Sequence, residues 1–318
     1  MKLLKKIKLN YNLKLLDDLI SNNKYDEAHK LIIDIKNKDK IDLFLLLKNS
    51  QNLLVNLDPN FYKKKIIWTI SYDTLDLSYI NQFLNFYLPK NFNNSFLIEN
   101  FASLLNNYFT NLDIKSQVNE IKFSDFVTQS NLYQNLLIFN YDKDFLFLNT
   151  CNAFFETSKK NFFTHPNITF CYFYIIKNPE ELLIRYKNNN NSPEAYYDEL
   201  FNFTNQPYLS KDQESQKFKV FENRNNFNIN VSSWTDENVI STYKGKIISY
   251  EKLLDDTQDV LLEILYHLKQ YGMNINISID DINNFISTNK IDDKISGTLS
   301  NSDKKFLNKN LDQDNLYY

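Results

Sequence analysis

A chain of 318 residues has room for one large core, or a domain with a smaller appendage, since single cores seldom grow beyond roughly 250–300 residues. Its 43% hydrophobic, 15% aromatic and 24% charged content excludes wholesale disorder. The net charge of −3, with lysines spread among carboxylates along the chain, leaves no basic footprint for a nucleic-acid partner.

The opening segment, MKLLKKIKLNYNLKLLDDLI, has a lysine every few residues and never builds the unbroken apolar stretch of a secretory signal. No run approaches the ~18 apolar residues of a membrane span. The two cysteines, Cys151 and Cys171, form no CxxC pair and are too few for a disulfide scaffold. A soluble, cytoplasmic chain in a reducing compartment is expected. There are three glycines, Gly245, Gly272 and Gly297, so a glycine-rich loop bringing several backbone N–H groups against a phosphate cannot be written before residue 245.

Residues 1–60 read as a helical extension. Leu15, Leu16, Leu19 and Ile20, then Ala28, Leu31, Ile32 and Ile35, recur at helical spacing. The turn between them, Asn22 to Ala28, resembles a tetratricopeptide unit, but no second copy follows at a 34-residue period. A third helix begins at Leu43–Leu47 and runs towards Asp58-Pro59, where the restriction before proline favours a break.

Residues 61–295 change texture to short, nearly continuous apolar runs between helical patterns, as buried parallel strands do. The clearest are Ile66–Ile70, Phe145–Leu148, Cys171–Ile176 and Lys246–Ile248. They predict an α/β fold of three layers, with a mainly parallel central sheet flanked by helices. Ser192-Pro193-Glu194 sets an N-cap, a first-turn proline and an acid in the preferred order. Leu253, Val260, Leu261, Ile264, Leu265 and Leu268 form a stripe that stops at Gly272, a C′ glycine. Ser278 and Asp281 read as a capping box for a helix turning Ile279, Ile282, Phe285 and Ile286 inward. Residues 296–318 are polar and aperiodic, and a loosely held tail is expected.

Five segments carry a family resemblance. Ile66-Ile67-Trp68-Thr69-Ile70-Ser71-Tyr72, with the helical Tyr79–Leu84 beyond it, resembles the first strand and helix of PAPS-dependent sulfotransferases. In that family a Pro-Lys-Ser-Gly-x-Thr-Trp loop between the two wraps the 5′-phosphosulfate; here the loop reads Asp73-Thr74-Leu75-Asp76-Leu77-Ser78. Cys171 to Asn188 resembles the family's second nucleotide motif, a strand ending in Arg-Asn/Asp-Pro and a helix with a serine eight residues on. Lys177 stands at the arginine and Arg185 at the serine. Lys246 to Leu253 resembles the late strand and Arg-Tyr-Glu-Asp-Leu helix start, and Val231 to Trp234 a tryptophan segment. Phe147 to Asn152 is similar to the Lys-Thr-His strand end that supplies the family's catalytic base, with Asn149 for the lysine and Cys151 for the histidine. The resemblance covers residues 65–288 and implies a sulfotransferase-like, P-loop-type fold.

Ligands of open α/β sheets bind beyond the carboxyl ends of the strands, so Tyr72, Asp73, Thr150, Cys151, Lys177, Asn178 and Tyr250 are expected to converge on one crevice. Tyr72, Asp73, Lys177, Arg185 and Tyr250 are the positions that correspond to the donor site. A carboxylate about 4 Å from a phosphate costs ~1 kcal/mol per charge pair in water and ~4 kcal/mol at an effective dielectric of 20, which sets Asp73 and Asp76 against a polyanionic donor. Base catalysis needs a group titrating near neutrality, and Cys151 has no activating partner in view; a small buried residue is the simpler reading. His29, His165 and His267 are dispersed, without metal-ligand spacing. Trp68 and Trp234 read as core. Lys177 and Arg185 serve either as surface pairs for Glu180 and Glu181 or as a weakened anion site at a helix N-terminus.

Two functions follow. One is a non-catalytic protein using a sulfotransferase-like scaffold with a degraded donor site to bind a protein or small-molecule partner, without a cofactor. The other is a divergent sulfotransferase moving a sulfuryl group from PAPS to a hydroxyl, with Cys151 at the position of the base.

Overall fold

A computed structural model describes residues 2–50, 53–54, 57–73, 77–88, 96–97, 123–140, 143–154, 163–189, 192–201, 226–291 and 297–312. Five strands form one all-parallel sheet: β1 (Lys65–Ser71), β2 (Phe96–Leu97), β3 (Phe145–Thr150), β4 (Thr169–Ile176) and β5 (Gly245–Ser249). Their order is β2-β3-β1-β4-β5. Four coincide with the expected apolar runs. The two-residue β2 is too short to leave a sequence pattern.

Alternation along each strand divides the interior in two. Ile66, Trp68, Ile70 and Tyr72 of the β1 run join Leu146, Leu148, Tyr172, Tyr174 and Ile176 in one core. Ile67, Phe147, Cys171, Phe173, Ile175 and Ile248 join the other. Burial on both faces is what the unbroken apolar runs require. The second core is covered by α4 (Ser78–Tyr87), α10 (Tyr250–Asp255), α11 (Thr257–Gln270) and α12 (Ile279–Thr288). Against the first lie α5 (Phe123–Asn140), α6 (Pro179–Asn189), α7 (Pro193–Phe201), α8 (Phe227–Thr235) and α9 (Glu237–Tyr243).

The same first core takes in the amino-terminal helices α1 (Lys2–Ser21), α2 (Tyr25–Lys38) and α3 (Lys40–Asn49) through Leu16, Ile32, Leu43 and Leu47. The extension is helical as expected, and its apolar interior is continuous with one face of the sheet. Asn23, in the turn between α1 and α2, takes φ 56, a left-handed conformation that asparagine tolerates better than most residues. The third helix ends at Asn49, and the break at Asp58 is a single 3₁₀ turn, Pro59–Phe61, capped by the Asp58 carboxylate on the Asn60 N–H at 2.7 Å.

The helix signals hold with four corrections. Ser192 Oγ accepts from the Ala195 N–H at 3.2 Å, and Gly272 closes α11 at φ 100. Ser278 Oγ accepts from the Asp281 N–H at 3.2 Å as an N-cap, but the Ser278 N–H donates to Tyr87 Oη, so the reciprocal half of the expected capping box is not formed. Leu253 belongs to the separate helix α10, since Asp256 interrupts the stripe. Ile279 is 54% exposed and does not face inward; as the first residue of α12 it precedes the face set by Ile282 and Phe285. Finally, the loosely held tail contains α13 (Asn301–Asn310). A Ser300–Asp303 capping box starts it, and Asp303 is buried on hydrogen bonds from Tyr197 Oη at 2.7 Å, Tyr196 Oη at 3.2 Å and Lys187 Nζ at 2.8 Å. Burial opposes the Asp303 charge, but the donors from Lys187, Ser300 and Tyr197 hold its pKa well below the usual carboxylate range. Buried Leu307, Phe306 stacked on Tyr197 at 3.7 Å, and Leu299 and Leu311 at its ends hold the apolar side of the helix, a sparse set that the polar sequence between them hides.

Gly245 opens β5 directly opposite Tyr172 of β4. A Cβ on Gly245 would sit 2.2 Å from the Tyr172 ring, itself fully buried, packed on Trp234 at 5.0 Å and hydrogen-bonded to the Trp234 carbonyl. Glycine here lets a ring lie over the neighbouring strand. Gly245→Ala should therefore overpack the core and lower unfolding free energy by ~1–3 kcal/mol. Urea denaturation measures it, and an unchanged midpoint would mean that Tyr172 moves aside freely.

Candidate functional site

The chain leaves β1 for α4 on one face and β4 for α6 on the other. Adjacent strands whose connections depart to opposite faces open a crevice between their carboxyl ends, the place where such sheets bind ligands. Register puts Ser71 beside Ile175, Ile176 beside Ser249 and Ile70 beside Thr150. The residues following these four strands therefore meet at one edge of the sheet, as the sequence predicts.

What meets there is mostly paired within the chain. Arg185 projects from α6 and donates from a terminal guanidinium nitrogen to Asp73 Oδ2 at 2.9 Å; their side chains are 14% and 12% exposed. The sequence reading sets Arg185 at a phosphate position and Asp73 as an obstacle to one. Folding joins the two into a single ion pair that bridges the end of β1 and α6. Thr74, Leu75 and Asp76 lie outside the described residues.

Lys177 is buried, its ammonium 3.9 Å from the centre of the Tyr250 ring and 3.4 Å from Glu181 Oε2. The cation lies over the ring face, where the quadrupole attracts it, and Glu181 is one helical turn further along. Tyr250 is buried at the start of α10, and its service to Lys177 is that of a platform. Tyr72 turns away from the crevice: buried, it donates from Oη to the Leu200 carbonyl at 3.2 Å and meets Phe227 edge-on at 5.4 Å. The alternation along β1 that buries Ile70 carries it into the first core.

Helix α6 would present its first N–H groups to an anion. Its own chain supplies acceptors instead. Glu251 Oε1 accepts from the Asn178 N–H at 2.7 Å while its Oε2 accepts from Ser249 Oγ at 2.8 Å. The Asn178 side chain in turn caps the Glu180 N–H at 2.9 Å. Glu180 and Glu181 occupy the first turn, so the positive end of the helix dipole faces carboxylates. Sequence reasoning overlooks Glu251, which sits at the family's Glu in the late helix start and reads as part of the fold.

Cys151 is buried just beyond β3 and is not in a disulfide. Its carbonyl accepts from Asn230 Nδ2 at 2.9 Å, and Asn230 Oδ1 accepts from Tyr174 Oη at 2.9 Å. Asn149, at the family's lysine position, is tied into the sheet by the Thr69 hydroxyl at 2.6 Å. Trp234 is fully buried and donates to the Asn152 carbonyl at 2.8 Å, a core role like that of the buried Trp68. The histidines are apart: His29 reaches the Phe61 carbonyl, His267 the Lys244 carbonyl at 2.8 Å, and His165 is buried ahead of β4. Among the described residues no group of three His, Cys, Asp or Glu side chains is placed to hold a metal ion.

The chain matches no protein-family model and no curated protein.

Two measurements bear on this geometry. Removing either partner of a largely buried ion pair leaves the other charge poorly solvated, so Asp73→Ala and Arg185→Ala should each destabilise the fold, and the double variant by less than their sum. A coupling energy of about 1–3 kcal/mol in a urea double-mutant cycle is expected; a value near zero would mean that the pair does not close the crevice. Burial holds the His165 pKa down to about 4 and also lowers those of His267 and His29. His165 is kept neutral when folded and takes up a proton on unfolding below the ordinary value near 6.5, so the unfolded state binds more protons and stability falls as pH drops from 6.5 towards 4; the lowered pKa values of His267 and His29 act in the same direction. From pH 7 to 5 the loss due to His165 is about 2 kcal/mol, and His165→Gln should flatten this slope in urea titrations at the two pH values. An equal slope in the variant would place the acid sensitivity elsewhere.

Proposed function

We propose that the protein is a sulfotransferase-like scaffold whose donor site is degenerate, and that it serves a non-catalytic binding role. The observation that carries this is the Asp73–Arg185 pair. It spends the guanidinium that stands at a phosphate-binding position of the family on a carboxylate of the chain's own phosphate-loop segment.

The rest of the crevice supports the same reading. The parallel sheet flanked by helices, with α4 and α6 departing to opposite faces, supports the scaffold reading at the level of an α/β fold. The residues on that scaffold do not fit PAPS. Asp73, Glu180, Glu181 and Glu251 surround the end of β4 and the start of α6, against Lys177 and Arg185. A donor with phosphates at both ends would have to displace Asp73 from Arg185 and Glu251 from the Asn178 N–H, then lie beside both carboxylates. At an effective dielectric of 20 each such contact at 4 Å costs ~4 kcal/mol. Cys151, buried, with its carbonyl bound to Asn230, offers no base for a hydroxyl acceptor.

Titration with adenosine 3′,5′-bisphosphate, the donor product, tests the proposal by thermal shift at low salt. A ligand that binds only the native state at a hundred times its dissociation constant stabilises it by ~2.7 kcal/mol, which a melting curve resolves. No shift is expected at millimolar ligand. A shift abolished by Arg185→Ala or Lys177→Ala would overturn the proposal in favour of a divergent sulfotransferase.

A further inference from the structure

Three of the most exposed large apolar side chains lie on α1: Leu4, Ile7 and Tyr11, at 72%, 56% and 66% exposure. Spaced i, i+3 and i+7, they form one stripe over two helical turns, about 10 Å long. They are not the face that packs. Leu9 and Leu13 rest against the first core and Leu16 and Ile20 enter it. At about 100° per residue that packing face lies nearly opposite the exposed stripe. So α1 has two apolar faces, and the fold uses one.

The first 16 residues carry charge of one sign, and on the helical wheel the exposed Asp18 continues the line of the stripe two turns beyond Tyr11. Lysines stand at positions 2, 5, 6, 8 and 14, and the first carboxylate of the chain is Asp17. This is the local exception to the even mixing of charge along the sequence. Lys5, Lys6, Lys8 and Lys14 are all exposed. On the helical wheel Lys8 and Lys14 flank the stripe on its two sides. Lys8 also reaches Asp42 of α3 at 2.5 Å, and Asp39 acts on the same ammonium.

We propose that α1 docks the protein on an anionic lipid surface, lying in the plane of the interface with Leu4, Ile7 and Tyr11 among the acyl-chain boundary and the lysines at the headgroups. An apolar stripe flanked by lysines is the pattern of an interfacial helix, and tyrosine suits a position with one end apolar and the other wet. Lysine stems reach along such a face to place their ammonium groups in water. Two copies of the chain pairing through α1 would bring their lysine clusters together. A nucleic acid would satisfy the lysines and leave the stripe in water. Among the described residues no helix is long and apolar enough to cross a membrane, so the association is peripheral. The inference is independent of the crevice.

Flotation of the full chain with vesicles tests it, using phosphatidylcholine alone and phosphatidylcholine mixed with phosphatidylserine. The protein should float with the mixed vesicles at low salt, stay behind with neutral ones, and be released at high salt as the lysine attraction is screened. Leu4→Gln combined with Ile7→Glu should cut partitioning about tenfold or more with an unchanged melting curve, because both side chains are already in water. Lys14→Glu, which reverses the charge at the edge of the stripe, should weaken it as well. Tyr11→Trp adds a reporter beside the two buried tryptophans, and its emission should shift to the blue when mixed vesicles are added. No flotation with anionic vesicles, flotation indifferent to Leu4 and Ile7, or a Tyr11→Trp emission unmoved by vesicles would overturn the proposal. So would tighter retention of the chain by RNA than by mixed vesicles.

Discussion

A parallel sheet buried on both faces needs two apolar covers, and that constraint arranges nearly everything else in this chain. Each strand must carry large side chains in both directions, which is why Trp68 and Ile67 are neighbours in sequence and belong to different cores. Parallel strands also require crossovers, and the crossovers that leave β1 and β4 for opposite faces create the cleft at their ends. The amino-terminal helices extend the cover on the first face, packing Leu16, Ile32, Leu43 and Leu47 into the core that includes Trp68. Apolar burial thus fixes the place of the crevice before any polar residue in it is considered.

Polar residues then decide what the crevice can hold. A helix N-terminus with free N–H groups and two nearby cations would suit a phosphate. Here each attractive element has an internal acceptor: Asp73 for Arg185, Glu181 and the Tyr250 ring face for Lys177, Glu251 for the Asn178 N–H. These contacts reinforce the scaffold. The bridge from Asp73 to Arg185 ties the end of β1 to α6, and Glu251 ties α10 to the residue that follows β4. Groups recruited as structural cross-links in this way are poorly disposed to exchange partners for a ligand, because the carboxylates left behind would remain in the site.

The strands were legible because burial on both faces writes an unbroken apolar run, and the caps at Ser192, Gly272 and Ser278 because their chemistry is local. The convergence of Asp73, Cys151, Lys177 and Tyr250 at one edge followed from strand order alone. Pairing was not legible. Asp73 and Arg185 are separated by 112 positions, and no periodicity relates them. Sequence spacing leaves Arg185 either a surface pair with Glu180 or Glu181 or part of a weakened anion site, whereas the fold gives it a partner across the cleft. The direction of Tyr72 is hidden for another reason: the period of β1 continues one residue past its last ladder position, so a residue expected in the crevice still obeys the strand. The carboxy-terminal helix was missed because Asp303 anchors it through Lys187, Tyr196 and Tyr197, a cluster assembled from three segments.

The amino-terminal helix shows the same limit from the other side. Apolar residues at 4, 7 and 11 and at 9, 13, 16 and 20 overlap in sequence and read as one broad helical pattern. Only packing separates them, by burying the second set and leaving the first in water. An exposed Leu, Ile and Tyr at single positions would need no explanation. Aligned on one face, beside lysines and before any carboxylate, they retain a contact surface that the fold does not use. Leu16 and Ile20 secure α1 against the first core without that surface, and the proposed contact outside the folded chain is what accounts for its apolar side chains.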